Sequence, residues 1–401
     1  MTEVFTGSFT QQLPIPEDAI DAAVEVMRTG RLHRYNLAPG ETGAVGALEQ
    51  AFAAKTGAQF CLAVASGGQA MAISLRAAGV TPGDTVLTNA FTLAPVPGAI
   101  AAVGARPVFV ETTEALTIDL DDLAAKAGQA RVLLLSHMRG HICDMDRLMA
   151  ICEAAGVTVI EDCAHTMGAS WRGTPSGRHG LAGCYSTQTY KHMNSGEGGL
   201  IVSDNPEFIA RATLLSGSYM LFERHPAGPG PEVYADLTGA TPNMSARMDH
   251  LRAALLLPQL ARLEKDCAAW NERYRVLEAG LASAPGVTLI PRPAEEAFVG
   301  SSFQFHLTDW PAHAIRSYLE RCAARGVELK WFGASAPQGF TSTYAHWRFA
   351  DPPALTRTDQ VLAGLIDMRL PLTFDLEDCA LIARILRSET EIHAARPDSA
   401  A

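Results

Sequence analysis

The chain lacks an excess of basic residues, a long apolar run and a basic leader followed by an apolar one. Its formal charge is −11 at pH 7. This charge argues against nucleic acid or an anionic membrane as a general partner. No apolar run approaches the roughly 20 residues that a membrane-spanning helix needs, and the first residues, Met1 to Phe5, do not resemble a secretory signal.

The cysteines also lack the spacing of a disulfide framework or a zinc site. There are eight, none in a Cys-x-x-Cys pair, and several, such as Cys61, lie in apolar stretches. Reduced, buried thiols in a cytoplasmic protein are the simplest interpretation. His137 and His141 have a spacing that can bind metal on a helix, but they straddle a strand end and a glycine, so no metal is expected.

The sequence does contain strand-like and helix-like segments that alternate over most of its 401 residues. Short apolar runs typical of buried parallel strands begin near Val86, Pro107, Arg131 and Val157. Helical patterns lie between them, one of which ends at Gly79. This alternation predicts an α/β fold with a large, mostly parallel sheet.

The pattern changes after Asp249, where a long helical stretch runs to Leu281. Pro258 is expected to kink or divide this helix. Strand, strand and helix patterns follow, which predict a smaller α+β domain. The predicted organisation is an N-terminal arm over residues 1–29, a large domain over 30–249, a small domain over 250–395 and a tail over 396–401. Residues 220–242, rich in glycine and proline, predict a long functional loop.

Lys191 and Asp162 suit the chemistry of pyridoxal phosphate (PLP). The segment Val159-Ile-Glu-Asp162 predicts a strand that ends in an acid, and ligands bind at the carboxyl ends of parallel strands. Asp162 would pair with the protonated pyridine nitrogen of the cofactor. Lys191 would form a Schiff base with its aldehyde.

A phosphate site is predicted where an apolar strand turns into a helix at Ser66, Gly67 and Gly68. Glycine allows close approach of the backbone, and the first amides of a helix point at an anion. Ser186, five residues before the lysine, is a second candidate donor to the phosphate.

These segments together resemble the DegT/DnrJ/StrS-type sugar aminotransferases, a family of fold-type I PLP enzymes. The resemblance runs from about Gly30 to Leu386. It rests on four pieces: Ser66-Gly67-Gly68, Val159–His165, Tyr185 through Lys191 to Gly199, and Asn243-Met-Ser245-Ala-Arg247-Met248. It implies a PLP-dependent aminotransferase that moves an amino group from glutamate or glutamine to a keto or aldehyde acceptor. Such an acceptor would be an oxo-sugar, a cyclitol or another intermediate of specialised metabolism.

The resemblance also implies roles for individual residues. Lys191 would shuttle the proton, Asp162 would hold the ring nitrogen, and His165 would lie near the phenolic oxygen. Asn243 or Ser245 would reach the phosphate of the partner subunit, so the site would need a homodimer.

Several positions depart from the family pattern. Gly68 replaces a threonine, which removes a hydroxyl donor. Where the family stacks an aromatic residue on the cofactor, either Phe91 or Leu93 would cover the ring. Arg139 replaces a tyrosine, and a guanidinium suits an anionic substrate as well as an ion pair. The candidates for substrate binding are Arg139, His192, Arg224 and Trp331.

Two alternatives to amino transfer remain open. The departures at Arg139 and Trp331 are compatible with a PLP enzyme that acts on an amino acid by substitution, decarboxylation or condensation. A non-catalytic sensor that binds PLP or a sugar is the second alternative, although the Lys191 and Asp162 pair speaks against it.

Overall fold

The computed structural model describes residues 3–394, and their side chains as far as residue 392. The predicted tail, residues 396–401, lies outside the described residues. Two helices, α1 (Glu17–Thr29) and α2 (Gly43–Thr56), precede the first strand. Gly57 ends α2 with a φ of +72°, a left-handed conformation that glycine adopts without strain.

One large sheet organises the first half of the chain. Nine strands lie between residues 60 and 203: β1 (Phe60–Val64), β2 (Thr85–Asn89), β3 (Arg106–Val110), β4 (Val132–Ser136), β5 (Thr158–Asp162), β6 (Ser170–Trp171), β7 (Thr174–Pro175), β8 (Ala182–Ser186) and β9 (Gly199–Ser203). Seven form a sheet in the order β1-β9-β8-β5-β4-β2-β3. Its strands are parallel except β9, which runs antiparallel to β1 and β8. The predicted mostly parallel sheet is confirmed.

Helices cover both faces of this sheet. They are α3 (Gly67–Ala77), α4 (Pro95–Ala102), α5 (Leu120–Lys126), α6 (Met145–Ala155) and α7 (Pro206–Ser216). Strand β4 shows why its sequence is a continuous apolar run: Leu133 and Leu135 enter one buried cluster, whereas Val132 and Leu134 enter another. Burial of such side chains contributes about 1.5–3 kcal/mol each.

The second half of the chain forms a smaller α+β unit. Its elements are α8 (His250–Leu281), β10 (Val287–Leu289), β11 (Glu296–Ala297), β12 (Ser302–Leu307), α9 (Ala312–Ala324), β13 (Lys330–Trp331), α10 (Thr356–Ala363), β14 (Leu365–Arg369) and α11 (Leu376–Ala394). Four strands form an antiparallel sheet in the order β10-β12-β14-β13. Phe5 and Phe9, from the predicted N-terminal arm, are buried in the apolar cluster of this unit. The domain boundaries themselves stay a prediction.

The predicted division of the long helix at Pro258 does not occur, since α8 is one helix of 32 residues. Proline lacks an N–H and its ring disturbs the preceding turn. Here the side-chain amide of Gln259 donates to the Leu255 carbonyl at 2.6 Å and to the Asn194 carbonyl at 2.9 Å. The Gln259 side chain therefore ties the turn beside Pro258 to the segment that contains Asn194.

Within residues 3–394, no helix combines the length and the apolar character needed to cross a membrane. The predicted long loop over 220–242 contains two short 3₁₀ turns, Phe222–Arg224 and Pro231–Tyr234. It has neither an α-helix nor a strand, as its glycine and proline content predicts.

Candidate active site

The start of α3 and the end of β8 meet at the carboxyl edge of the large sheet. The Ser66 hydroxyl caps α3 by accepting a hydrogen bond from the Gln69 N–H at 3.1 Å. A Cβ on Gly67 would lie 2.8 Å from the Ser186 Cβ, so only glycine fits against that serine. Beside Gly68 the nearest atom to such a Cβ is the Ser66 Oγ at 3.8 Å, which leaves room for a ligand. The predicted phosphate donors therefore lie together.

Asp162 ends β5 as a buried carboxylate. It accepts hydrogen bonds from the Ser136 hydroxyl at 2.9 Å and from the Ala164 N–H at 3.1 Å. Burial raises the pKa of Asp162, and the nearby Lys191 charge opposes that shift. A carboxylate withdrawn from water in this way is stabilised by a cationic partner, such as a protonated ring nitrogen.

The preceding residue, Glu161, holds the strand end in place. Its carboxylate hydrogen-bonds to the His137 ring at 2.9 Å and accepts the N–H groups of Gly177, His179 and Gly180 at 2.8–2.9 Å. Burial alone would raise the pKa of Glu161, but these bonds and the His137 ring outweigh it and lower the pKa. The Glu161 carboxylate thus has a structural role beside the site.

The two histidines of the predicted metal-type spacing contact different partners. The His137 ring bonds to Glu161, whereas the His141 Nε2 lies 3.0 Å from the Gln304 Oε1. His137, Glu161 and Cys163 do lie within 4.8 Å of one another. Since Glu161 already accepts three backbone N–H groups, hydrogen bonding accounts for this cluster, and the expectation of no metal stays a prediction.

Lys191 lies against His165, with its Nζ 2.8 Å from the His165 Nε2. Burial lowers the pKa of Lys191 to about 7; Asp162 opposes this shift, and the charge of Arg139 adds to it. Burial, followed by the Lys191 charge, holds the pKa of His165 well below its usual value. At neutral pH the site therefore offers a substantial fraction of neutral amine next to a neutral imidazole.

Four charged side chains from both halves of the chain lie around Lys191, and we call them the cation cluster: Arg139, Lys330, Asp367 and Arg369. The buried Asp367 carboxylate lies 2.7 Å from the Arg139 guanidinium and 3.5 Å from the Lys330 Nζ. Arg369 lies over the Tyr190 ring, 3.8 Å from its centroid. The predicted substrate candidate Arg139 is thus at the site, in an ion pair.

The other predicted substrate candidates have different surroundings. The His192 ring is buried edge-on against Trp270 at 5.1 Å. Exposed Arg224 donates to the Tyr35 carbonyl at the base of the long loop. The Trp331 indole donates to the Ala363 carbonyl at 2.7 Å within the small-unit core, whereas its neighbour Lys330 belongs to the cation cluster.

The two candidates for the ring-stacking position also differ. Phe91 is buried edge-on against Phe332 in a core cluster, with ring centroids 5.1 Å apart. Leu93 is only partly buried against the same cluster. Leu93 is thus the more accessible of the two, and which of them covers the ring stays a prediction.

The predicted cross-subunit residues lie beside the end of β1. The Asn243 Oδ1 accepts the Ser245 N–H at 2.8 Å, and Ser245 is exposed with a φ of +51°. The following Ala246 carbonyl accepts the Ala65 N–H at 2.8 Å. The segment is thereby fixed next to the turn at Ser66 while the Ser245 side chain faces outward.

Sequence reasoning missed four residues of the site. Ser136 could have been predicted from the sequence, because it ends a predicted parallel strand that neighbours the strand of Asp162. Lys330, Asp367 and Arg369 were not, since no local motif links the short strands β13 and β14 to Lys191.

The fold and the site together define an aminotransferase of fold type I. Comparison with known proteins gives the family: the DegT/DnrJ/EryC1/StrS aminotransferase family matches residues 15–387. The chain belongs to this family, which confirms the predicted resemblance and the predicted amino transfer from an amino acid to a keto or aldehyde acceptor.

The relatives include L-glutamine:scyllo-inosose aminotransferase of Streptomyces griseus. It is 33% identical over 287 residues, which cover 69% of this chain and 67% of the relative. A second is 3-amino-5-hydroxybenzoate synthase of Amycolatopsis mediterranei, 34% identical over 61% of each chain. Among solved structures, the aminotransferase TlmJ of Streptoalloteichus hindustanus has a TM-score of 0.81 over 98% of this chain and all of its own, at 22% identity.

Proposed function

We propose that this aminotransferase binds PLP at the carboxyl edge of the large sheet and uses Lys191 as its acid–base group. The observation that carries the proposal is the juxtaposition of an amine of lowered pKa with a buried acid and a glycine turn at a helix N-terminus. Each group matches one part of the cofactor.

The residues fit the cofactor part by part. The phosphate would accept hydrogen bonds from the Gly67 and Gly68 N–H groups and from the Ser186 hydroxyl. Asp162 would pair with the ring nitrogen, and this charge pairing would offset the cost of burying its carboxylate. When bound, the protonated ring stabilises the electron pair left when a proton leaves the substrate carbon.

Lys191 is suited to moving that proton. Its amine, with a pKa of about 7, can take a proton and return it near neutral pH. The His165 ring, 2.8 Å away, fixes the direction of the amine. His165 is buried and Lys191 is partly buried, which limits the access of bulk water to the transfer.

The substrates follow from the relatives. We propose glutamine or glutamate as the amino donor and a ketone on a cyclitol or sugar as the acceptor. The S. griseus relative is named for L-glutamine and scyllo-inosose, an amino acid and a cyclitol ketone. The chain covers about two thirds of that relative, and its identity of 33% supports the class of substrate.

We also propose a homodimer with shared active sites. Ser245 is exposed three residues after the long loop over 220–242, and the exposed Tyr219 and Met220 lie where that loop starts. A second copy that covered them would bring Asn243 or Ser245 to its phosphate site. A cytoplasmic location is proposed as well, because all eight cysteines are free and buried.

The test is the absorption spectrum of the cofactor-loaded protein during addition of L-glutamine. The visible band should bleach in the wild type and return when scyllo-inosose is added, with an aminocyclitol as product. Lys191→Ala should show no bleaching. A wild-type band that persists with glutamine and with glutamate would contradict the proposal.

A further inference from the structure

The cation cluster contains more positive charge than its own acid can balance. Arg139, Lys330 and Arg369 are the three cations, and each lowers the pKa of Lys191 by its charge. Asp367 is the one carboxylate within the cluster. Three cations and one acid leave two positive charges beside the reactive lysine.

The acid is already committed to fixing the cluster. Asp367 is fully buried and lies 2.7 Å from the Arg139 guanidinium. Its Oδ1 accepts from the Gln304 side chain at 2.8 Å, and the Gln304 Oε1 lies 3.0 Å from the His141 Nε2. Asp367 is therefore held by strand β12 as well as by the cations, and it is not free to pair with Arg369.

The backbone of Arg139 is held in a conformation that few residues other than glycine adopt. Its φ is +56°, in the left-handed region, and Gly140 follows at φ +80°. A Cβ on Gly140 would lie 3.2 Å from the His165 and Val299 carbonyl oxygens. Strain of this kind persists where surrounding structure over-determines it, often at binding sites.

Arg369 is the cation with unused hydrogen-bonding capacity. Its guanidinium lies over the Tyr190 ring, and no carboxylate among the described residues forms an ion pair with it. A guanidinium that stacks on an aromatic ring keeps its planar N–H donors for a carboxylate. Tyr190 directly precedes Lys191, and the Arg369 charge acts on the Lys191 amine, so the guanidinium lies near the reactive group.

Lys330 supplies the second charge. Its Nζ is 3.5 Å from Asp367, too far for a strong hydrogen bond, and its side chain is 27% exposed. Burial lowers the pKa of Lys330 to about 8; Asp367 opposes this shift, and Arg139 and Arg369 add to it. An incoming anion would reverse the part of this shift that comes from the cations.

We propose that Arg369 and Lys330 form a subsite that binds a carboxylate of the substrate, with Arg139 and Asp367 as its fixed base. The inference deepens the proposed function and rests on it, because both half-reactions use the same pocket. The carboxylate belongs either to the amino acid donor or to an acidic acceptor, and the two half-reactions distinguish these sources.

Binding is measured first, without amino transfer. The cofactor-loaded protein is titrated with glutarate, which has two carboxylates and neither an amino nor a keto group, by calorimetry. Arg369→Gln and Lys330→Gln should each weaken glutarate binding about tenfold or more. Arg316→Gln is the matched control, since Arg316 also lies over an aromatic ring, that of Trp331, but is exposed on α9 outside the site.

Thermal unfolding of each variant separates lost folding from lost binding, and Arg369→Lys, which keeps the charge but loses the planar donors, should recover part of the affinity. Unchanged glutarate binding in folded Arg369→Gln and Lys330→Gln would overturn the subsite. If glutarate binding depends on Arg369 but the protein performs no amino transfer, the subsite is retained and only the proposed function is refuted.

The half-reactions then assign the carboxylate. The subsite serves the donor if Arg369→Gln raises the glutamine concentration needed for half-maximal bleaching and leaves the return of the visible band with scyllo-inosose unchanged. The subsite serves an acidic acceptor if Arg369→Gln impairs the return of the visible band only with a keto acceptor that bears a carboxylate. Impairment of neither step would overturn the proposal.

Discussion

Two adjacent glycines provide a matched pair of substitutions at the phosphate turn. A Cβ on Gly67 would lie 2.8 Å from the Ser186 Cβ and 3.2 Å from its Oγ, closer than atoms approach without displacement. At Gly68 the nearest atom is 3.8 Å away, an ordinary contact. The two substitutions to alanine add the same methyl group one residue apart.

Overpacking of a tight contact costs about 1–3 kcal/mol. Gly67→Ala must shift either Ser186 or the start of α3, and both are proposed phosphate donors. The affinity for PLP should therefore fall about 5- to 150-fold. Gly68→Ala lies at the start of α3, where alanine favours helix by about 0.5–1 kcal/mol, so its unfolding temperature should hold or rise.

The assay is titration of the cofactor-free protein with PLP, followed by the visible absorption band, with thermal unfolding of the same samples. Wild type, Gly67→Ala and Gly68→Ala are measured together. Equal PLP affinity in wild type and Gly67→Ala would refute the close packing of Gly67 on Ser186. A larger loss of PLP affinity in Gly68→Ala than in Gly67→Ala would refute the conclusion that a side chain has room at Gly68 but not at Gly67.

Three further predictions concern charge. The rate at which cofactor-free protein captures PLP should rise with pH around a midpoint near 7, the pKa of Lys191. Arg369→Gln should move that midpoint upward, because a positive neighbour of Lys191 is removed. An unmoved midpoint would contradict the placement of Arg369 near Lys191. Ser136→Ala removes the 2.9 Å hydrogen bond to Asp162 and should raise the activation free energy by about 1–2 kcal/mol, which lowers kcat. An unchanged kcat would exclude a role of this hydrogen bond in holding Asp162 for the reaction. Glu161→Gln should cost about 3–5 kcal/mol of stability in urea unfolding at pH 7. Because the folded pKa of Glu161 is lowered, its contribution is present above its ordinary pKa and is lost as pH falls through the folded pKa, so the variant and wild type should converge in acid.

The large sheet was predictable because its signal is local and repeated. Strand β4 reads as an apolar run because alternate residues enter opposite clusters, and helices such as α6 end at a glycine with positive φ. Pro258 misled the prediction because the Gln259 amide that ties this turn to the Asn194 carbonyl belongs to tertiary structure. Local propensity carries no information about such a donor.

The candidate site divides in the same way. Lys191, Asp162 and the Gly67 turn lie in continuous segments whose order could be compared with a family pattern. Lys330 and Arg369 lie on short strands that come from the distant end of the chain. Trp331 was predicted in place of Lys330 because adjacent residues of a strand point to opposite faces, and the sequence alone did not give the face.

We propose that Lys191, rather than the partly exposed Lys330 near it, holds the cofactor. The direct test is reduction of the PLP-loaded protein with borohydride, followed by proteolysis and mass spectrometry of the labelled peptide. We expect the added pyridoxyl phosphate mass on the peptide that contains Lys191 and loss of the label in Lys191→Ala. A label on Lys330 in the wild type, or an unlabelled Lys191, would contradict it.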